Sequence, residues 1–271
     1  MVYLQHPDLA VYSATLNTAG RRNCAGSGPC SEAEGWDVPP PPAPALAGLG
    51  EVLVALRHAG ERWRRERTEV LCRYQHIWNV DLHFRPAFLG GIMQATGNKP
   101  PAMLPKRGEY LLKDIKRMAK YYQVPVQTSE NILEHIKGTS SLGAMRFITA
   151  IDITQPQYLE PLSREFWIRF WSQQEDISQP ENILTVAGRA GLSSELAQKL
   201  LEMISSPAVK NRLKDTTEEA IKYGAFGMPA IVAHFNEKPH LFFGCDRLEL
   251  LASVIGEKWL GPVPSVPNSK M

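Results

Sequence analysis

Cysteine is scarce in this chain, with four among 271 residues, Cys24, Cys30, Cys72 and Cys245. No two stand as Cys-x-x-Cys and none has zinc spacing, so a dithiol motif of that kind and a zinc module are excluded; such usage suits a reducing compartment. Cys24 and Cys30 leave open a disulfide or half a metal site, but no histidine pair completes the latter, and no metal is expected. Excess charge is lacking too. A formal net charge of +2 argues against a general nucleic-acid binder. No apolar run approaches the roughly 18 residues of a membrane helix, so no membrane span is expected. Met1 to Gly20 has neither a basic start nor a continuous apolar core, so no secretory signal is read there. What remains is ordinary globular composition, 44% hydrophobic and 21% charged, enough for one sizeable core or two small ones.

Residues 1–50 carry Gly-rich and Pro-rich punctuation, including Cys24-Ala25-Gly26-Ser27-Gly28-Pro29 and Pro39 to Pro44. Without apolar periodicity such a stretch cannot repay its ordering entropy, and it is expected to be disordered. Leu49, Val52, Leu53 and Leu56 then fall at helical spacing, and a basic run from Arg57 to Arg67 leads into Glu69 to Tyr74. One long helix from about Gly50 to Ile77 is the first expectation; a strand over Val52 to Leu56 is the alternative. Val80, Leu82 and Phe84 alternate with Asp81, His83 and Arg85 as a strand with one wet face would. Gly90 to Gly108 reads as a loop, where ligand contacts often sit. From Glu109 to Tyr223 the periodic segments are helical: Leu111, Ile115, Met118 and Tyr122 share a face, as do Leu159, Leu162, Phe166 and Phe170. Ser178-Gln179-Pro180-Glu181 reads as a capping box, and Ser206-Pro207 starts a helix stopped by Gly224. Trp167, Trp171 and Met145 are read as core, with a share in an apolar pocket as the other reading.

The stretch Tyr223-Gly224-Ala225-Phe226-Gly227-Met228-Pro229 organises the rest. Gly224 can end a helix, and Pro229 withdraws a backbone donor just before the β-rich run Ala230 to Phe235. A strand entered through proline pairs incompletely and leaves the backbone of Met228 for an extended peptide; Pro229 is a candidate cis-proline. A hairpin through Asn236 to Pro239 returns along His240 to Phe243. Gly244-Cys245-Asp246 then opens a helix, with Asp246 as N-cap, Glu249 three residues on, and N–H groups that attract a carboxylate. Proline, hairpin and anion-binding helix start resemble the second half of a thioredoxin-like domain in proteins that hold glutathione. An ordinary loop, hairpin and helix with no ligand is the plainer reading.

Six motifs in order narrow that choice: Leu71-Cys72-Arg73-Tyr74-Gln75, Gly91-Ile92-Met93, Gly97-Asn98-Lys99-Pro100-Pro101, Ala144-Met145-Arg146-Phe147, Tyr223 to Pro229, and Gly256-Glu257-Lys258-Trp259. From Glu69 to Met271 the chain resembles the kappa-class glutathione transferases. The resemblance implies an α/β fold, a thioredoxin-like domain with an all-helical insertion domain. Together with the composition of the opening, it divides the chain into a disordered segment 1–50, a first thioredoxin-like part 51–107, an insertion 108–222, a second part 223–261 and a tail 262–271. It implies a homodimer that takes glutathione as substrate, with small electrophiles or organic peroxides as second substrate. It assigns the glutathione contacts to Asn98, Pro105, the backbone of Met228, and Cys245 with Asp246.

The resemblance stops before Glu69. The family's first strand and the Ser-bearing turn after it have no counterpart in residues 1–68, so that strand is expected to be missing and no catalytic residue is assigned. If Val52 to Leu56 fills the slot, the serine's place falls on Glu61, which when ionised cannot donate a hydrogen bond and repels a thiolate. Losing a donor worth about 1.5–3 kcal/mol to a thiolate lowers turnover about ten- to a hundredfold. A second departure is Cys245, where the family usually carries Ser; a weak thiol donor replaces a hydroxyl. Two functions follow: a kappa-type transferase impaired by the lost serine, or a noncatalytic variant that binds glutathione or a protein partner through its helical domain. Ser269-Lys270-Met271 differs by one residue from a peroxisomal Ser-Lys-Leu tail. Peroxisome, mitochondrion and cytosol are the compartments expected, an arbitrary polar tail being the other reading.

Overall fold

The computed structural model describes residues 12–17, 49–56, 63–99, 104–124, 126, 140–236 and 238–264. For 12–17, 49–56 and 63–68, and at Cys245, the description is of the backbone. Cys24, Cys30, the proline run 39–44, Glu61, Pro100, Pro101 and the tail 269–271, on which expectations were placed, lie outside the described residues.

Two strands open the chain, β1 (Tyr12–Asn17) and β2 (Leu49–Leu56). Helix α1 (Trp63–Tyr74), β3 (Leu82–Pro86) and α2 (Leu89–Thr96) follow. The helical part comprises α3 (Pro105–Tyr122), α4 (Leu142–Thr154), α5 (Leu159–Trp167), α6 (Pro180–Arg189), α7 (Ser194–Met203) and α8 (Pro207–Lys222). The chain returns to the sheet with β4 (Ala230–Phe235) and β5 (Lys238–Phe243), and closes with α9 (Leu248–Val254).

The sheet corrects the reading of residues 49–77. No single helix runs through them, because Leu49–Leu56 is a strand and α1 begins only at Trp63. β2 pairs antiparallel with β4, Val52 opposite Ala233, Leu53 opposite Val232 and Val54 opposite Ile231. Its end pairs parallel with β3, Ala55 beside Arg85 and Leu56 beside Pro86. The first-strand slot expected to be empty is thus filled by this chain's own sequence. β1 also departs from the expected disorder of 1–50: it pairs antiparallel with β2 from Tyr12 opposite Val54 to Asn17 opposite Leu49. β4 and β5 form the expected hairpin, Ala230 opposite Phe243 and Phe235 opposite Lys238.

Both faces of β4 are covered, as an uninterrupted apolar strand requires. Ile231 and Ala233 join the larger core with Val70, Leu71 and Tyr74 of α1 and Leu248 and Leu251 of α9. Ala230 and Val232 point the other way, to Leu89 and Ile92 of α2, Ala220 of α8, Ala225 and Met228. The larger core continues through the helical part, where Met145, Phe166, Trp167, Phe170 and Trp171 are all buried, so the core reading of the tryptophans and of Met145 holds. Truncating one such aromatic to alanine costs about 3–5 kcal/mol.

Caps differ in detail from their sequence reading. Ser206 caps α8 as expected, its hydroxyl accepting from Val209 N at 3.3 Å, and Gly224 follows the helix at φ +89°. The expected box at Ser178 to Glu181 is absent; Gln179 is the N-cap of α6 without a side-chain bond. Asp176 does that work. Its carboxylate accepts from Ser178 N at 3.1 Å, Ser178 Oγ at 2.7 Å, Gln179 N at 3.2 Å and Asn182 Nδ2 at 2.8 Å.

Candidate glutathione site

The site is built where β4 begins. The Met228–Pro229 peptide bond is cis, and Pro229 O accepts from Gly244 N at 3.3 Å, which ties the loop before β4 to the turn after β5. The Met228 side chain is buried in the smaller core. Among the described residues nothing bonds the N–H or C=O of Met228, while pairing starts one residue past Pro229, at Ala230. Fixed side chain and unpaired main chain are what an added strand needs.

Asn98 closes one side. It follows α2 through Gly97, which is left-handed at φ +69°, and its Nδ2 donates to Phe226 O at 2.8 Å. Asn98 is thereby a tether of the 223–229 loop, a role its sequence position did not disclose. Gly227 suits the same closeness: a Cβ there would lie 3.1 Å from the Phe243 ring and 3.3 Å from Asn98 Nδ2, and those side chains would have to give way. The rings of Phe226 and Phe243 meet with centroids 4.4 Å apart and wall the loop against β5.

Two threonines of α8 hold the connection between β3 and α2 in place. Thr217 Oγ1 accepts from Phe88 N at 2.8 Å, and Thr216 Oγ1 donates to Pro86 O at the end of β3. Sequence reading missed both threonines and both phenylalanines, since no spacing links them to Asn98. Pro105 stands at the first turn of α3 and is exposed. No described contact joins it to Met228 or Asn98.

On the far side, Gly244 has φ +100°, and a Cβ there would fall 2.7 Å from Asp246 Oδ1. Cys245–Arg247 form a single 3-10 turn ahead of α9. The expected Asp246 and Glu249 cap is corrected: Arg247 is the residue before α9, and it caps without a side-chain bond. Asp246 instead folds back over Gly244 and pairs with Arg247 at 2.6 Å, both exposed, so the pair adds little stability. β2 runs antiparallel to β4, so its end beyond Val54, opposite Ile231, lies towards the start of β4.

The structure therefore brings Asn98, Met228, Pro229 and the 244–246 turn together around the start of β4, with Pro105 on a separate element. Among the described residues no group of three or more His, Cys, Asp or Glu side chains is gathered for a metal, and no helix is long and apolar enough to cross a membrane.

Residues 67–256 match the family model of the DSBA-like thioredoxin domain. The chain is 49% identical over 203 residues to glutathione S-transferase kappa 1 of Homo sapiens, covering 75% of this chain and 90% of that protein. It is 50% identical over 204 residues to glutathione S-transferase kappa 1 of Rattus norvegicus, with the same coverage of 75% and 90%. A solved 2-hydroxychromene-2-carboxylate isomerase superposes with a TM-score of 0.47 at 22% identity, covering 62% of this chain and 76% of its own. With that much of the kappa proteins' length matched at such identity, this chain belongs to the kappa-class glutathione S-transferases, enzymes built on a thioredoxin-like domain with a helical insertion.

Proposed function

We propose that the chain binds glutathione as an added strand on Met228 and transfers its thiolate to small electrophiles, organic peroxides being an alternative second substrate, at a rate lowered by the lost serine. The observation that carries this reading is the Met228 main chain, unpaired among the described residues and flanked by Asn98 and the 244–246 turn. Met228 N–H and C=O pair with the cysteinyl unit. The turn at Cys245 and Asp246 takes the γ-glutamyl end, its N–H groups suiting a carboxylate and the Asp246 carboxylate an ammonium. Asn98 and Pro105 close the other side.

The weak point is the thiol. A thiolate needs a donor to lower its pKa, and the six residues that follow β2, Arg57-His58-Ala59-Gly60-Glu61-Arg62, offer N–H donors in Arg57, His58 and Arg62 but no hydroxyl of the family's kind. That composition favours a second reading, a noncatalytic chain that holds glutathione or a protein partner. Titration calorimetry with glutathione beside a conjugation assay separates the two. Binding with turnover about ten- to a hundredfold below a serine-bearing relative supports the first reading. Binding without turnover moves the assignment to the second, and absence of binding overturns both. We further propose a homodimer, and delivery to peroxisomes through Ser269-Lys270-Met271 or residence in mitochondria or cytosol. Localisation of the chain with and without its last three residues tests the peroxisomal route.

A further inference from the structure

Helix α3 carries an imbalance that the transferase reading does not use. Its buried side is Gly108, Leu111, Ile115 and Tyr122. Opposite them, Lys106, Lys113, Lys116, Arg117 and Lys120 are all exposed and fall within about 100° of the helix circumference, along about 21 Å of its length. The only carboxylate in that arc, Glu109, is taken by Lys106 at 2.9 Å. Asp114, just outside it, lies 3.8 Å from Arg117 and accepts from Tyr110 OH at 3.3 Å. Among the described residues no acidic partner meets Lys113, Lys116 or Lys120. An ordinary solvated helix face interleaves both signs; here cations dominate in a chain whose net charge is only +2.

One edge of the arc is apolar. Tyr110 is 43% exposed and Tyr121 54%, and Leu104 ahead of the helix is 52% exposed. Arg73 donates from one nitrogen to both Tyr122 O and Pro262 O, which brings the C-terminal segment, with its exposed Leu260 and Val263, to the C-terminal end of α3. Basic stems beside half-exposed tyrosines and aliphatic side chains are the two ingredients of an interfacial surface: cations for lipid phosphates, and a rim for the headgroup boundary.

We infer that the exposed face of α3 docks on a bilayer carrying anionic phospholipid. A nucleic acid would use the cations but not the apolar rim. A second copy of this chain is disfavoured, since a two-fold contact would set this cationic stripe against itself. The proposal is independent of the glutathione site, which lies on other elements apart from Pro105.

Cosedimentation of the full chain with vesicles tests it. Binding is expected to vesicles with about 30 mol % phosphatidylserine, not to phosphatidylcholine alone, and to be released as salt rises to about 0.5 M. The K113Q/K116Q/R117Q/K120Q variant, checked for an unchanged melting temperature, is expected to bind about a hundredfold more weakly or less. Y121S/L260S is expected to weaken binding about tenfold without altering its salt dependence. Equal binding to both vesicle types, or a charge variant that binds like the parent, overturns the proposal. So does equal affinity for duplex DNA at the same salt, or a charge variant that changes only the oligomeric state.

Discussion

Cys72 sits in the wall of α1 beside the Glu69, Arg164 and Glu160 ion pairs, where burial first, and then the Glu160 carboxylate, push its thiol up to about 12. At pH 8 only about one thiol in ten thousand is then ionised. With Cys24, Cys30 and Cys245 each changed to serine, a thiol reagent at pH 8 is expected to label the folded protein far more slowly than the unfolded chain, in which one site per chain reacts. Rapid labelling of the native protein would refute the burial argument. Residue-level reading of the sequence succeeded where one side chain or one backbone position suffices, as at the Ser206 cap and the Gly224 helix end. It failed for partners distant along the chain. Asn98 was legible as a polar group on a loop, but its bond to Phe226 O depends on how α2 and the 223–229 loop are packed, and neither segment encodes that alone.

Elements show the same division. Helices of the insertion were legible because their apolar faces repeat over several turns, whereas Leu49 to Leu56 is a short apolar run that fits either period. Its strand form is decided by its neighbours, β4 on one side and β1 with β3 on the other. At the start of α6 the sequence offered Ser178 as cap, yet the longer acidic arm of Asp176 reaches more of the free donors. Burial alone would raise the Asp176 carboxyl, but hydrogen bonds from Ser178, Asn182 and Gln179 outweigh it and hold the group below its ordinary value. A depressed carboxyl stabilises the fold above the ordinary carboxylate range near ~4, and that contribution disappears as pH falls through the lower folded value. D176N is therefore expected to lower stability by about 1–2 kcal/mol at pH 7. Its deficit should shrink as the pH is taken down through the lowered folded value of the Asp176 carboxyl. Urea unfolding at pH 7 and along that descent checks this; a deficit independent of pH would count against it.

At the scale of the molecule, β2 is the strand on which the sheet depends, with Leu53 opposite Val232 on one side and Ser13 on the other. L53P removes a backbone donor there and is expected to cost about 3 kcal/mol or more. Amide exchange is the measurement: the variant should lose protection in β4 while α6 and α7 stay protected, and unchanged protection at Val232 would show that β2 contributes nothing. Fold class was legible over Glu69 to Met271 through motifs in order. The opening of the chain was not, because no motif marks a replacement strand and its fit is known only once its neighbours are assembled.

The order in which those neighbours are made has its own consequence. β3 lies about 30 positions downstream of β2 and β4 about 180, so the contacts of β2 with these partners are far from local. A ribosome emits β2 early and must then make the whole helical insertion before the strand's antiparallel partner exists. During that interval the apolar strand has one edge to wait on, and the nascent chain is a natural client for chaperones until β4 arrives to close the sheet.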